Sequence, residues 1–553
     1  MTVFNPFNQQ ERPIYEPYQN RWIAIVAGQV IGVGVDAEQA YRAAKKARPK
    51  ARPQIFFVDG QSRLHGQPID TKQWFQDDLL KRIVHLFQER QAEVYLVGGA
   101  VRDGLLGCLN AKADIDLVIP TDALNVARML ADRLHAAYYP IDPERGVGRV
   151  VMPERRSIDL AAYRGNTLDE DLALRDFTIN AMVLRLDQKT PILLDPLNGQ
   201  VDLAQQKIKA VGPRSISDDP LRAVRAVRLA AQLDFEIEPD TENLIRSGAP
   251  GLKQVSPERM RDELFKLMQV TQPGRAVARL YELGLLAYIL PEALAMVGVE
   301  QSPPHTRSVF EHTLAVMDQC ELLDLDDHKI AFLAPFKNLL LAYLDAELAG
   351  GVRRRTLISL IALLHDIGKP ATFQRGSDDR IRFWNHAKVG AEMTQAILTR
   401  WRVSSQVMGF VTTAVEQHLR PLLLASQNSA GKRAIHRFLV ATEETAPAVA
   451  LLALVDHLGT YSHYQDNAAW QALTDVVFKI CQAYFTPKPS PLLTGTEVMA
   501  YLQIPAGPII GQALAALREA QAADEVATVD EAKAFIIQMG QERGWLAADQ
   551  AKC

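Results

Sequence analysis

The chain has 553 residues, 48% apolar and 23% charged, with a formal net charge of −4. That length is too great for one hydrophobic core and predicts roughly three to five domains, and the composition excludes a disordered chain. It also excludes a uniformly basic nucleic-acid binder, so any such contact rests on local clusters such as Arg214, Arg222, Arg225 and Arg228, or Arg353, Arg354 and Arg355. A solvated helix face is the other reading of each cluster.

The small elements come first. Residues 21–58 alternate in strand fashion on either side of Gly28, pass through an amphipathic helix, AEQAYRAAKKA, and end in QIFFV. This predicts a small separate α/β module, similar to a strand–strand–helix–strand module of unassigned function, with a linker over 59–74. A helix over 75–92, a strand VYLVGG (94–99), a strand ADIDLVIP (113–120), a capped helix from Thr121 or Asp122, and strands at 147–152 and 157–161 predict an α/β head. From about 203 onward the spacing is almost wholly helical. MTVFNPFNQQERP lacks the basic-then-apolar order of a signal peptide, and LISLIALLHDIGK (357–369) is shorter than a membrane span. Cys108, Cys320, Cys481 and Cys553 form no C-x-x-C pair, which argues against a zinc knuckle and suits a reducing compartment. A cytoplasmic protein without membrane contact is expected; the sequence leaves the oligomeric state open.

The densest chemistry lies in GGAVRDGLLG (98–107) followed by ADIDLV (113–118). Gly98 and Gly99 let backbone approach a phosphate closely. Asp114 and Asp116 alternate on a strand and so share a face. Two adjacent carboxylates call for a cation between them, and Mg²⁺ suits phosphoryl oxygens. A bare D-x-D strand end is the alternative. Asp159 in RRSIDLAAYR supplies a third carboxylate on a neighbouring strand, placed to deprotonate or orient an attacking hydroxyl. In LALRDFTINAMVL (172–184), Arg175 beside Asp176 suits a triphosphate or ribose, and Asn180 a sugar hydroxyl. DDPLRAVRAVRLA (218–230) puts Asp219, Arg222 and Arg225 at i,i+3 steps on one helix. There they either pair with a base edge or form a plain salt bridge.

The run from 94 to 264 resembles the class II tRNA nucleotidyltransferase and bacterial poly(A) polymerase family. The resemblance implies nucleotide binding by Gly99 and Arg102, magnesium at Asp114 and Asp116, base reading by Asp219 and Arg222, and a phosphate or base contact by Arg225. VSPERMRDEL (255–264) is similar to the family's next helix motif, with Glu258 and Arg259 supporting a neck. Leu174 stands where the family usually has a first arginine, and Asp218 where it usually has glutamate. The implied activity is template-independent addition of CCA to the 3′ end of tRNA from CTP and ATP, with release of pyrophosphate. The alternatives are CC-only, A-only or poly(A) addition, a non-catalytic RNA binder, or a mainly hydrolytic protein. A flexible stretch over about 140–156 is implied to help change nucleotide.

A second set spans 305–460. His312 opens an amphipathic helix, His365 and Asp366 are adjacent in LLHDIGKP, and His386, His418 and Asp456 follow. Imidazoles and carboxylates gathered from separate helices hold a divalent metal such as Ni²⁺, Co²⁺, Mn²⁺ or Zn²⁺; a structural His–Asp pair is the other reading. This resembles the HD phosphohydrolase family, with His312, His365, Asp366 and Asp456 as the matched ligands and His386 and His418 as additional ones. The predicted division is therefore a small α/β module and linker (1–74), an α/β nucleotidyltransferase head with a mixed sheet (75–230), a helical neck supporting tRNA or nucleotide (231–300), an HD-type helical domain (301–470) and a C-terminal helical domain contacting the RNA body (471–553).

Overall fold

The computed structural model describes residues 15–26, 29–51, 53–58, 64–65, 74–110, 113–187, 191–427, 430–461, 467–487 and 490–545. Gly28, Cys553 and most of the linker at 59–74 lie outside the described residues. The chain forms two compact units, Met1–Gly248 and Ala249–Cys553.

The first unit begins with strands β1 (Arg21–Val26) and β2 (Gln29–Gly34), helix α1 (Ala37–Ala47), and strands β3 (Gln54–Val58) and β4 (Leu64–His65), in sheet order β2-β1-β3-β4. Asp36 caps α1 by accepting from the Gln39 amide at 2.8 Å. Gly32 lets α1 lie directly on β2: a Cβ there would fall 2.3 Å from the Ala40 carbonyl oxygen. The module is not separate. Trp22, Ala24, Ile55 and Phe57 share one core with Tyr95, Val97, Val118, Val183 and Ile192 of the head. A sheet this small buries too little apolar surface alone, and it covers the deficit against its neighbour.

The head runs α2 (Asp78–Glu89), β5 (Tyr95–Val97), α3 (Gly99–Leu105), β6 (Ile115–Ile119), α4 (Ala123–Leu134), β7 (Ala137–Asp142), β8 (Val147–Val151), β9 (Ser157–Ala162), α5 (Leu168–Ala173), β10 (Val183–Arg185) and β11 (Ile192–Leu194). The seven strands lie in the order β11-β10-β5-β6-β9-β8-β7, and all pair antiparallel except β6 with β9. The mixed sheet is thus as the sequence predicts. Strand alternation divides its two faces. Ile115, Leu117, Ile119, Ile158, Leu160 and Val150 are buried on one face, where α4 packs over β8 and β9. Asp116, Asp159 and Arg149 belong to the other.

Within 140–156, β8 (Val147–Val151) is the strand expected at 147–152, whereas β7, which reaches Asp142, has no counterpart in the sequence reading. The two form a hairpin that pairs Tyr138 with buried Val150, with its turn in the DPERG segment, and β8 continues the sheet. β-branched and aromatic residues on either side of the turn favour the pleated surface. The helical run from 203 also contains a short parallel pair, Lys207–Ile208 with Glu236–Ile237. Between its two strands lie α6 (Ser215–Asp218) and α7 (Leu221–Leu233), and α8 (Pro239–Gly248) follows. The predicted boundary at 230 falls inside α7.

The second unit is helical. Its larger elements include α9 (Pro257–Leu267), α10 (Val309–Asp318), α11 (Arg354–Leu364), α12 (His386–Arg400), α13 (Ser405–Gln417), α14 (Ala446–Thr460) and α15 (Ala468–Phe485). The boundary predicted at 470 falls inside α15. A hairpin of Phe373–Arg375 with Ile381–Phe383, short enough to escape periodicity, precedes α12. The helical stretch Lys432–Thr460 is long and apolar enough to cross a membrane by length and composition, yet 72% of its most apolar window is buried among the unit's own helices. Leu493, Val498, Leu502, Ala513, Leu517 and Ile536 form a separate C-terminal core.

Candidate active site and metal cluster

In the head, β5 ends in Gly98, whose φ of 71° and ψ of −143° suit glycine and few other residues. A Cβ at Gly98 would sit 3.5 Å from Asp116 Oδ2, so the glycine turn borders the carboxylate directly. The parallel ladder places Asp116 opposite Asp159. Asp114 stands just before β6, and its Oδ1 accepts from the Ser157 amide at 2.9 Å. Asp116 keeps one side open to solvent. Crowding by protein on the other sides, then the charge of Asp159, push its pKa up to about 6 against the pull of Arg175. Three carboxylates gathered around Asp116, which has no direct cationic partner among the described residues, fit a divalent cation.

Asp159 is held by Arg149, which lies opposite it on β8 and donates Nε and Nη2 to its two oxygens at 2.7 Å each. Arg149 is absent from the sequence-predicted set. The alternation of V-G-R-V-V in β8 is the signal that could have put it on the acidic face.

The remaining predicted residues form a buried network. Arg102 donates to Asn180 Oδ1 at 2.7 Å and to Asp103. The Asn180 amide donates to Asp176 at 3.2 Å, and Arg225 donates to the other Asp176 oxygen at 3.2 Å. Burial opposes charge on Asp176, but Arg225 and the Phe177 amide more than offset it and lower its pKa. Arg175 donates twice to buried Asp171, a second residue that sequence reasoning missed. Thus Asn180 and Asp176 face protein groups rather than an open pocket.

Asp219 and Arg222 do not share a helix. Pro220 caps α7, and a residue before proline is driven out of helical geometry; Asp219 is extended, at φ −147° and ψ 94°. Arg222 is buried and turns inward. Its guanidinium donates to the carbonyls of Leu174 at 2.7 Å, Arg175 at 2.8 Å and Ser215 at 3.1 Å.

In the second unit, the six predicted ligands meet. His312, His365 and Asp456 offer ligand atoms within 4.8 Å of one another, and so do Asp366, His386 and His418. Asp366 adjoins both groups: Oδ2 lies 3.2 Å from His365 Nε2, and Oδ1 lies 3.5 Å from His386 Nε2. His365, His386 and His418 each tie Nδ1 to a backbone carbonyl three residues back, at 2.7–2.8 Å. That aims Nε2 inward and sets the tautomer, as metal-ligating histidines require. The Nε2 atoms of His312, His365 and His386 are buried and face carboxylate oxygens at 3.0–3.5 Å without making a well-aligned hydrogen bond. Burying such atoms unmatched is costly, and a cation relieves it. Burial, then His365, drives His418 down to about 4, so it is neutral and able to ligate.

Two neighbours were not predicted as part of this cluster. His305 lies 4.9 Å from His312, centroid to centroid. Lys369 places its buried ammonium 2.6 Å from Asp366 and 2.7 Å from Gln301.

A mixed sheet whose acidic face borders a glycine turn defines a nucleotidyltransferase type of head, and the helical cluster defines an HD type of metal site. Known proteins agree. Residues 94–209 match the poly A polymerase head domain, 234–296 the probable RNA and SrmB-binding site of polymerase A, 309–460 the HD domain, and 14–61 a family of unknown function (DUF5678). The A-adding tRNA nucleotidyltransferase of Deinococcus radiodurans is 36% identical over 456 residues, 81% of this chain and 95% of that protein. The CC-adding tRNA nucleotidyltransferase of Thermus thermophilus is 32% identical, covering 80% and 93%. The Thermotoga maritima CCA-adding enzyme complexed with tRNA has a similar fold, with a TM-score of 0.54 at 20% identity over 86% of this chain and 97% of that one. The chain belongs to the class II tRNA nucleotidyltransferase family, with a poly(A)-polymerase-type head and a fused HD domain.

Proposed function

We propose that this protein adds C and A, without a template, to the 3′ end of tRNA from CTP and ATP, releasing pyrophosphate. The observation that carries the proposal is the register that sets Asp116 beside Asp159 next to Gly98. Asp114 and Asp116 would hold Mg²⁺, which when bound neutralises phosphate charge and favours ionisation of the attacking hydroxyl. The terminal 3′-oxygen of the RNA attacks the α-phosphorus, the bond to pyrophosphate breaks, and Asp159 orients the attacking hydroxyl and accepts its proton. Gly98 and Gly99 leave room for phosphates. Arg102 and Arg175 set local positive charge; Asp176, Asn180 and Arg225 brace Arg102 through the buried network, and Asp171 braces Arg175. Asp219 and Arg222 read the base, for which Arg222 exchanges backbone carbonyls for the base edge.

In the HD unit, His312, His365 and Asp456 together with Asp366, His386 and His418 would hold a transition metal, whose chemistry there is activation of water for phosphoester hydrolysis. The poorly paired imidazole nitrogens support that reading.

A narrower activity, A-only or CC-only, is the second reading, favoured by the A-adding and CC-adding relatives of nearly full length. Purified protein incubated with tRNA ending before CCA, after CC, and after CCA, with each NTP alone and all together, separates them once products are sequenced. Full CCA on the shortest tRNA supports the first reading. Growth of only one substrate by A or by CC supports the second, and no incorporation overturns both.

A further inference from the structure

The ladders of the head align four side chains across adjacent strands. Tyr139 on β7 pairs with Arg149 on β8, Arg149 with Asp159 on β9, and Asp159 with Asp116 on β6. Directly paired residues project on the same face, so the row runs from an aromatic ring through a cation to the carboxylates. At ~4.8 Å per strand, the ring is roughly 14 Å from Asp116.

Tyr139 is unusual for a strand aromatic, being 53% exposed. Its neighbour Tyr138 points to the opposite face and is covered by the Arg128 guanidinium, 5.2 Å from the ring centroid. The exposure is not an invitation to another strand. β7 is the sheet edge, and Pro140 within it blunts strand addition. The Arg149 side chain is 40% exposed, and its bidentate pairing with Asp159 engages Nε and Nη2. A guanidinium has five donors, so the Nη1 side is available to a phosphate.

We infer that Tyr139 and Arg149 form the acceptor subsite for the single-stranded 3′ end of the RNA. A base near the end stacks on Tyr139, a backbone phosphate meets Arg149, and the terminal hydroxyl reaches Asp159 and Asp116. Single-stranded nucleic acid is held elsewhere by this pairing of aromatic faces with cations along the backbone. Bound in this way, Arg149 also keeps Asp159 in place while the strand enters. The inference rests on the reading of Asp114, Asp116 and Asp159 as the transfer site.

The test uses the full chain, with steady-state kinetics for tRNA and NTP varied separately and anisotropy of a labelled RNA oligonucleotide ending in CC. Tyr139→Ala is expected to lower kcat/KM for RNA and weaken oligonucleotide binding by about tenfold, the scale of one lost stacking contact, while KM for NTP stays within about twofold. Tyr139→Phe keeps the ring and restores wild-type values. Arg149→Gln reduces the slope of log Kd against log salt by about 0.7, one phosphate contact on a single strand. Unchanged RNA kinetics in Tyr139→Ala, or an equal rise in KM for RNA and NTP, overturns the subsite. Normal turnover by Asp116→Ala instead overturns the transfer-site assignment on which it rests, so the two failures are distinguishable.

Discussion

At Asp116, crowding by protein on its inner sides and the neighbouring charge of Asp159 act together against ionisation, and Arg175 acts for it. The folded chain therefore holds this proton more tightly than the unfolded chain, where the ordinary value is 3.8. The resulting stabilisation is whole below that value and is lost as pH rises through about 6. In EDTA, the Tm of the wild type should fall relative to Asp116→Asn between about pH 4 and pH 7, a window set by this shift; parallel curves in calorimetry would mean that Asp116 titrates like any surface carboxylate. Activity gives the companion test. Asp116→Ala should lose incorporation by about two orders of magnitude or more with circular dichroism unchanged. Arg222 holds the backbone ahead of α7, so Arg222→Ala leaves the Leu174 and Arg175 carbonyls without its donors and costs about 1–3 kcal/mol in denaturant titration. If it also reads the base, preference for CTP and ATP over UTP and GTP blurs in the same variant. A stability loss with selectivity intact assigns Arg222 to the scaffold alone.

Among the elements, those with strong local pattern were legible. The glycine turn, the strand of Asp116 and the strand of Asp159 fall where alternation puts them, with Asp114 just before its strand, whereas the face shared by Asp116 and Asp159 comes from the register of the β6–β9 ladder. What periodicity could not supply was pairing across distance. Tyr139 and Arg149 enter the acidic row only through the β7–β8 hairpin, whose turn-rich sequence masked it. Helical spacing likewise misled at Asp219, because Pro220 is the N-cap of α7 and the helix starts at Leu221, which leaves Asp219 extended ahead of it. The N-terminal module gave no hint of its role as a cover for the head sheet, since shared burial is a property of two surfaces and neither pattern alone contains it. Trp22→Ala tests that cover. Trp22 is buried in the shared core, and the loss should be about 3–5 kcal/mol, with nucleotide addition inactivating at lower temperature than in the wild type. Head activity with unaltered thermal inactivation would show the module to be a passenger.

For the whole molecule, the two candidate metal sites belong to different compact units and share no residue. A double variant, His365→Ala with Asp366→Ala, should lose bound transition metal by elemental analysis and any phosphoester hydrolysis, and retain nucleotide addition. A wild type that binds no metal after reconstitution, while folded by circular dichroism, would leave the HD unit as scaffold. The parallel pairing of β6 with β9 has a further consequence, for the order in which the molecule becomes competent. Asp116 and Asp159 are brought together only by closing the stretch of chain that carries α4, β7 and β8, and such non-local closures come late because loop entropy opposes them. A chain still emerging or partly collapsed therefore has its D-x-D but not its third carboxylate. Competence for nucleotide transfer should arrive as a single late event in refolding, after most helical signal has returned, so the enzyme has no half-assembled form that handles RNA ends.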